Sequence, residues 1–209
     1  KVSFFVMVPT AASALMQVEV KSDVSSLRYA LCGSAPLRKD LFNKFEKATG
    51  LQILEGYGMT ETTCLISGYP PAGAKKIGSV GIPFPYCDVK ILNVDENGKV
   101  LNECKVDEIG EICVNNPGVL VGNTYTDMIK NENLFAFSTH LRTGDLGKLD
   151  SDNYLWITGR AKDIIIRGGH NVDPAIIEDA LSSHPDVAMV GAIGQPDAHL
   201  GEVPCAYVE

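Results

Sequence analysis

The stretch LRYALCGSAPLRKDLFNKFEKATGLQILEGYGMTE, residues 27–61, alternates an apolar run, an amphipathic run and a second apolar run. The runs 27–32 and 51–54 are short and apolar, which is typical of buried strands. Between them, five apolar side chains recur at the spacing of one helix face: Leu37, Leu41, Phe42, Phe45 and Ala48. Pro36 near the first turn and Gly50 just past the end mark the limits of this predicted helix.

A strand, a helix and a second strand joined by short connections form a βαβ unit. The strands of such a unit pair in parallel through a right-handed crossover. Ligands on open parallel sheets bind beyond the carboxyl ends of the strands. We therefore expect the glycine-bearing segments that follow the two strands, 33–36 and 56–61, to be loops that face one crevice.

The second of these segments belongs to the run EGYGMTE, residues 55–61. Gly56 and Gly58 let a ligand approach the backbone closely, and Tyr57 offers a stacking face. Thr60 and Glu61 supply oxygen atoms suited to phosphate and Mg²⁺. The run favours a nucleotide site, and a Gly-Tyr-Gly turn with a purely structural role is the alternative.

In residues 77–158 the apolar residues do not recur with a helical period. This region instead contains short β-rich runs separated by turn residues. These runs are 88–94, 99–101, 109–114, 146–149 and 154–157. Asp95-Glu96-Asn97-Gly98 between the first two is a strong hairpin signal. The pattern predicts a small antiparallel barrel or sandwich.

One acidic residue in this region follows a Thr-Gly turn, in the run LRTGD at 141–145. Asp145 could present its carboxylate to the two hydroxyls of a sugar through paired hydrogen bonds. The alternative is an aspartate that only stabilises the turn.

Residues 159–172 form a basic, glycine-rich run that predicts a surface hairpin. Its positive charge suits an anionic cosubstrate, and a solvated basic turn is the alternative. Asp173-Pro174 then predicts a helix start, with strands at 187–193 and 203–208 beyond it. The apolar stripe of this helix comprises Ile176, Ile177, Ala180 and Leu181.

These patterns predict a mixed α/β protein in three segments. Residues 1–76 form part of a parallel βαβ subdomain, 77–161 a small antiparallel β-barrel, and 162–209 the start of a small α+β C-terminal domain. The chain begins and ends inside strand-like runs, so we expect it to be part of a longer protein.

Composition excludes several classes of function. The 209 residues carry a formal net charge of −8 and are 45% hydrophobic, which fits a folded acidic protein and disfavours nucleic-acid binding. The apolar run near the start stops at Pro9, too short for a transmembrane segment. Six cysteines show no CxxC or close pairing, so we expect free thiols and a cytoplasmic location.

Taken together, five ordered motifs resemble the adenylate-forming superfamily, and acyl-CoA synthetases within it. The motifs are GSAP at 33–36, YGMTE at 57–61, RTGD at 142–145, GRAKD at 159–163 and RGGHNV at 167–172. Enzymes of this family activate a carboxylic acid with ATP as an acyl-adenylate and then transfer the acyl group to coenzyme A. The resemblance therefore implies a carboxylic acid, ATP and coenzyme A as substrates, with Mg²⁺.

The resemblance also implies roles for individual residues. Glu61 would bind Mg²⁺, Thr60 would contact phosphate, and Asp145 would hold both ribose hydroxyls. Arg160 would add a ribose or phosphate contact, so that Thr60, Glu61 and Arg160 are the candidate catalytic residues. The other residues expected at the ATP or AMP are Gly33, Ser34, Ala35, Pro36, Glu55, Gly56, Tyr57, Gly58 and Met59, with Tyr57 stacked on adenine.

In this family the C-terminal domain rotates between the two half-reactions. The resemblance implies a hinge at Lys162 and a channel for the pantetheine arm of coenzyme A at Gly168 and Gly169. The family's phosphate loop and C-terminal adenylation lysine are not in the printed sequence, so we expect this chain alone to be inactive in adenylation.

Two alternatives to a CoA ligase stay open at this point. One is an amino-acid-activating adenylation domain that loads a carrier protein, and the other is a non-catalytic module that binds an adenosine nucleotide. The motifs also leave open which acid is used, its chain length and the oligomeric state.

Overall fold

A computed structural model describes residues 2–19, 23–95, 98–184 and 186–209. The chain forms two compact units. The first comprises Lys1–Lys90, Cys113–Arg142 and Leu149–Trp156, and the second comprises Ile91–Ile112, Thr143–Lys148 and Ile157–Glu209. The three-segment division with boundaries at 76 and 161 stays a prediction.

The first sheet has the order β1-β2-β3-β4-β5. Its elements are β1 Phe4–Met7, α1 Pro9–Leu15, β2 Tyr29–Cys32, α2 Lys39–Thr49, β3 Gln52–Met59, β4 Cys64–Gly68 and β5 Ile82–Pro83. β1 pairs with β2, and β2 with β3, in parallel, so the predicted βαβ unit is confirmed. The antiparallel pairing of β3 with β4 and of β4 with β5 is not anticipated by the sequence pattern.

Helix α2 begins later than its apolar pattern predicts. Arg38 is its N-cap, so Pro36 and Leu37 precede the helix. Leu37 is nevertheless buried, because the loop that leads into the helix carries its side chain into the core. The predicted end is confirmed, since Gly50 caps α2 with a φ of 70° in the left-handed region.

Strand β3 is longer than predicted and includes the glycines that we expected in a loop. Gln52–Glu55 pair with β2, whereas Gly56–Met59 pair with β4, with a register shift between Tyr57 and Gly58. The prediction of a loop from residue 56 was wrong. The run of apolar residues ends at Leu54, but the backbone stays extended beyond it.

The core of the first unit lies between the parallel strands and α2. Its buried members include Met7, Ala12, Ala30, Cys32, Leu37, Phe42, Phe45, Leu51, Ile53, Tyr69 and Tyr154. β1 contributes little to the core, since Phe4 and Val6 are more than half exposed and only Met7 is buried. β1 ends the sheet, and only one of its faces packs against the core.

The second sheet has the order β11-β10-β8-β6-β7, and β9 pairs with β10. Its strands are β6 Asp88–Val94, β7 Val100–Glu103, β8 Gly110–Asn115, β9 Phe135–Ala136, β10 His140–Leu149 and β11 Leu155–Arg160. The β6–β7 hairpin is confirmed, although Glu96 and Asn97 at its tip lie outside the described residues. No pairing in the described part of the chain closes this sheet into the predicted barrel.

Strand β10 begins six residues before the predicted run 146–149 and takes in Thr143, Gly144 and Asp145. The expected Thr-Gly turn is therefore a local irregularity within a strand, where Gly144 has a φ of 73°. Gly144 explains why the sequence pattern does not predict this part of the strand, because a glycine interrupts the β-rich run.

The third sheet has the order β13-β12-β15-β14 and belongs to the second unit. Its elements are β12 Ile165–Arg167, β13 His170–Val172, α3 Pro174–Ser182, β14 Val190–Asp197 and β15 Gly201–Val208. The predicted β12–β13 hairpin is confirmed, and Asp173 caps α3 by accepting from the backbone N–H of Ala175. The apolar stripe is narrower than predicted, since Ile176 and Ala180 are exposed. None of the helices in the described residues is long and apolar enough to span a bilayer.

Candidate functional site

The loop 33–36 lies directly against the glycine-bearing half of β3. A Cβ atom on Gly33 would stand 2.9 Å from the carbonyl oxygen of Gly56, closer than side chains tolerate. Ser34 has a φ of 70°, and Ser34, Ala35 and Pro36 are exposed. The structure thus brings together the first two of the five predicted motifs, with the exposed face of the loop available to a ligand.

The buried Glu55 side chain holds the end of the loop 33–36. Its Oε1 accepts a hydrogen bond from the backbone N–H of Leu37 (3.3 Å), and its side chain is 4% exposed. Its other oxygen, Oε2, has no hydrogen-bond partner in the described structure. Burial raises the pKa of Glu55 to about 7, and burial together with Glu55 raises the pKa of Cys32 to about 11. Glu55 is therefore a supporting residue beneath the loop and exposes little surface to a nucleotide.

Space is restricted beside both glycines of β3, and most severely at Gly58. A Cβ atom on Gly58 would stand 1.6 Å from the carbonyl oxygen of Cys64 on β4, so no side chain fits. Tyr57, between the two glycines, and Met59 after them are partly exposed. The tight pairing with β4 holds this stretch of backbone in place and leaves Tyr57 partly exposed.

Thr60 and Glu61 begin a short 3₁₀ turn, Thr60–Thr62, that follows β3. Thr60 is exposed, and Glu61 is partly exposed. The hydroxyl of Tyr125 donates a short hydrogen bond to Oε1 of Glu61. This bond raises the pKa of Tyr125 to about 12. The described residues contain no cluster of three or more His, Cys, Asp or Glu side chains that could hold a metal ion by themselves.

A cavity of about 340 Å³ opens next to this turn within the first unit. It is lined by Thr62, Thr63, Cys64, Leu65, Phe84, Pro85, Cys87, Asn116, Pro117 and Gly118. It is a shallow groove that is largely open to solvent.

Asp145 and Arg160 meet in the second unit. Nε of Arg160 lies 2.9 Å from Oδ1 of Asp145, whose side chain is 8% exposed against 57% for the arginine. The backbone N–H of Asp145 donates to Oγ1 of Thr143 (3.1 Å), which in turn donates to the carbonyl of Ile112 (2.8 Å). The aspartate is thus held at both its backbone and its carboxylate.

The remaining predicted residues also lie in the second unit. Lys162 is the exposed middle residue of the 3₁₀ turn Ala161–Asp163, between β11 and β12. Gly168 and Gly169 form the tip of the β12–β13 hairpin, with φ values of 57° and 82°. Nothing lies within 4 Å of the position that a Cβ atom of Gly169 would take, so the hairpin tip is open.

Tyr125 is the residue at this site that sequence reasoning missed. It lies 64 positions from Glu61 and belongs to none of the five motifs. No local pattern marks it, because the contact depends on how the segment 118–125 folds over the turn after β3.

Comparison with known proteins identifies the class of this fold and site. The model of the AMP-binding enzyme family matches residues 1–123, and that of the AMP-binding enzyme C-terminal domain matches residues 176–209. The chain therefore belongs to the AMP-binding enzyme family, which confirms the resemblance to adenylate-forming acyl-CoA synthetases.

Individual relatives agree with this assignment. The chain is 47% identical over its full length to the marinolic acid–CoA ligase of Pseudoalteromonas sp., and 35% identical over 99% of its length to human mitochondrial acyl-coenzyme A synthetase ACSM3. It spans 32% and 35% of these two proteins, so it corresponds to about a third of their length.

Solved structures agree as well. ATP-bound MatB from Rhodopseudomonas palustris matches 99% of the chain with a TM-score of 0.88 and 35% identity, and the chain covers 40% of MatB. MenE from Bacillus subtilis, in complex with ATP and a magnesium ion, matches 99% of the chain with a TM-score of 0.82 and 36% identity, and the chain covers 41% of MenE. The mixed α/β fold is therefore confirmed.

Proposed function

We propose that the protein containing this chain is a carboxylic acid–CoA ligase that works through an acyl-adenylate. The observation that carries the proposal is the end of β3, where Tyr57, Thr60 and Glu61 follow one another beside the loop 33–36. The relatives named as CoA ligases support the same class. They also favour coenzyme A over a carrier protein as the acceptor.

The reaction has two steps. A carboxylate oxygen of the acid attacks the α-phosphorus of ATP, an O–P bond forms, and pyrophosphate leaves with the electrons of the broken bond. The deprotonated thiol of coenzyme A then attacks the acyl carbon, and AMP leaves. Both steps bring anions together, so positioning and charge neutralisation are the main tasks of the protein.

Two groups of residues fit separate parts of the nucleotide. Tyr57 offers its ring to adenine, with Gly33, Ser34, Ala35 and Pro36 on the other side, and Thr60 supplies a hydroxyl for phosphate. Asp145, oriented by Arg160, offers a carboxylate to the ribose hydroxyls. Arg160 keeps most of its side chain exposed and can also contact phosphate.

Glu61 fits a role in holding Mg²⁺. Mg²⁺ prefers oxygen ligands and is commonly bound by one or two carboxylates together with substrate phosphates and water. A partly exposed carboxylate outside any cluster of three or more such ligands in the described residues matches that pattern. When bound, Mg²⁺ would neutralise charge on the phosphates.

Coenzyme A would use the second unit. The open tip at Gly168 and Gly169 suits a thin pantetheine arm passing close to the backbone. Lys162 is exposed in the short turn between β11 and β12, which suits a hinge. We also propose a cytoplasmic location, supported by six cysteines that form no disulfide.

The test uses the full-length protein and a panel of carboxylic acids. We expect ATP- and CoA-dependent consumption of at least one acid, with pyrophosphate released. Glu61→Gln should lower the adenylation rate by roughly 100-fold, because a charged ligand is lost. The exposed Glu132 provides the matched control, and Glu132→Gln should leave the rate unchanged.

Two outcomes would overturn the proposal. If no acid is consumed with CoA but an aminoacyl hydroxamate forms, the protein is an amino-acid-activating domain. If ATP binds and no acid in the panel releases pyrophosphate, it is a binding module.

A further inference from the structure

The side chain of Glu61 is held by a segment that follows it by about sixty residues. The hydroxyl of Tyr125 donates to Oε1 of Glu61. Both residues are partly buried. The contact joins a residue outside every predicted motif to the proposed metal ligand.

The same segment also binds the backbone of the turn that carries Glu61. The backbone N–H of Leu120 donates to the carbonyl of Glu61 (2.8 Å), and Oγ1 of Thr63 donates to the carbonyl of Gly118 (2.6 Å). The segment therefore contacts the turn through the carboxylate of Glu61, its carbonyl and a neighbouring hydroxyl.

Tyr125 is itself fixed by a side chain that closes a loop around it. The amide of Asn131 accepts from the backbone N–H of Tyr125 (2.9 Å) and donates to its carbonyl (2.8 Å). Asp127 caps the short turn Met128–Asn131 that carries the asparagine. The donor to Glu61 thus has a defined position.

The chemistry of the donor suits a metal ligand. A glutamate has several rotatable bonds, and ordering them opposes binding. A phenol hydroxyl restricts the carboxylate without adding positive charge, whereas a lysine or arginine would repel a metal ion. No such cation pairs with Glu61 in the described part of the chain.

We propose that Tyr125 is a positioning residue for adenylation, which orients the Glu61 carboxylate toward the metal–nucleotide complex. The inference rests on the proposed function, specifically on Glu61 as a metal ligand. It assigns Tyr125 no contact with the reacting atoms.

The test compares Tyr125→Phe with Tyr86→Phe in the full-length protein. Tyr86 is 87% exposed, so it provides the same chemical change without the contact. With a non-hydrolysable ATP analogue, we expect Tyr125→Phe to weaken Mn²⁺ binding about fivefold, measured by electron paramagnetic resonance. Adenylation should slow roughly tenfold, and acyl transfer from preformed acyl-adenylate should be unchanged. Tyr86→Phe should match the wild type in all three measurements.

A double-mutant cycle separates positioning from a purely structural role. In a Glu61→Gln background, we expect Tyr125→Phe to add no more than a twofold further loss. An equal loss in both backgrounds, an equal slowing of both half-reactions, or tighter Mn²⁺ binding in Tyr125→Phe would overturn the inference.

The cycle also separates this inference from the proposed function. If Glu61→Gln leaves Mn²⁺ binding unchanged, the proposed metal role of Glu61 fails, and this inference fails with it. If Glu61→Gln weakens binding while Tyr125→Phe does not, only the inference on Tyr125 fails.

Discussion

Two pairs of positions in this chain are occupied by glycine for different physical reasons. Gly56 and Gly58 in β3 lie against a neighbouring strand, and Gly58 has no room for a side chain. Gly168 and Gly169 at the hairpin tip have positive φ values, and Gly169 has open space around it. Packing restricts the first pair, most severely at Gly58, whereas backbone conformation favours glycine in the second.

The difference extends to how each region is held. The turn after β3 is fixed by contacts from residues that are distant in the sequence, such as Glu61 with Tyr125 and Leu120. The hairpin tip is held mainly by its own strands, β12 and β13, and by a bond from the N–H of Gly168 to the carbonyl of Leu200 (2.7 Å). We therefore expect the first region to be rigid and intolerant of change, and the second to be tolerant.

The largest effect should come from Gly58→Ala. The added Cβ would stand 1.6 Å from the carbonyl oxygen of Cys64, so β3 and β4 must separate. We expect a loss of roughly 3 kcal/mol or more in the free energy of unfolding. In the full-length protein this should lower the thermal midpoint by about 6 °C or more.

Gly191→Ala provides the control, because this strand glycine has nothing within 4 Å of its Cβ position. Its thermal midpoint should lie close to that of the wild type. Equal midpoints for the two variants would show that β3 is not closely packed against β4.

An intermediate effect should come from Glu55→Gln, which tests how tightly the loop 33–36 is packed over β3. Burial raises the pKa of Glu55 from 4.5 to about 7, so the stabilising form is the protonated one. The associated stability is present in full below pH 4.5 and is lost as the pH rises through about 7. Between pH 5 and pH 8, the wild type should lose about 2 to 3 kcal/mol by this route.

Two ionisable side chains near Glu55 do not titrate between pH 5 and pH 8. The pKa values of Cys32 and Tyr69 are raised to about 11 and about 12, so both stay neutral. Glu55→Gln should therefore show a flatter thermal midpoint from pH 5 to pH 8 than the wild type does. Parallel profiles would mean that water reaches the carboxyl beneath the loop.

The smallest effect should come from Gly169→Ala. Its φ of 82° disfavours a side chain, but no atom obstructs one, so we expect a loss of about 1 kcal/mol. Gly169→Asn should cost less, because asparagine tolerates the left-handed region. If the hairpin lines the pantetheine channel, acyl transfer should slow more than adenylation in both variants. A loss as large as that of Gly58→Ala would contradict the contrast between the two glycine pairs.

The sequence predicts the parts of the fold that repeat a simple period. The βαβ unit and the hairpin at 165–172 are confirmed because apolar spacing and turn residues mark them locally. The pairing of β3 with β4 could not be predicted, because Gly56 and Gly58 have the composition of a loop and form a strand only when Cys64–Gly68 pair with them. For the same reason, the first half of β10, which contains Gly144, could not be predicted.

The candidate site is predictable where motif residues are adjacent in the chain. Tyr57, Thr60 and Glu61 fall within five positions, so the sequence groups them directly. The ion pair between Asp145 and Arg160 and the contact between Tyr125 and Glu61 depend on tertiary structure. The same is true of Glu55, whose role beneath the loop depends on Leu37 approaching it from another element.

The change of partner along β3 also limits how this family can vary in length. Gln52–Glu55 are in register with β2, and Gly56–Met59 are in register with β4. Inserting or deleting one residue within β3 would turn its side chains to the opposite face of the sheet, either where β3 pairs with β2 or where it pairs with β4. We expect natural homologues to keep the spacing from Gln52 to Glu61 constant and to accumulate insertions in connections such as the β6–β7 turn.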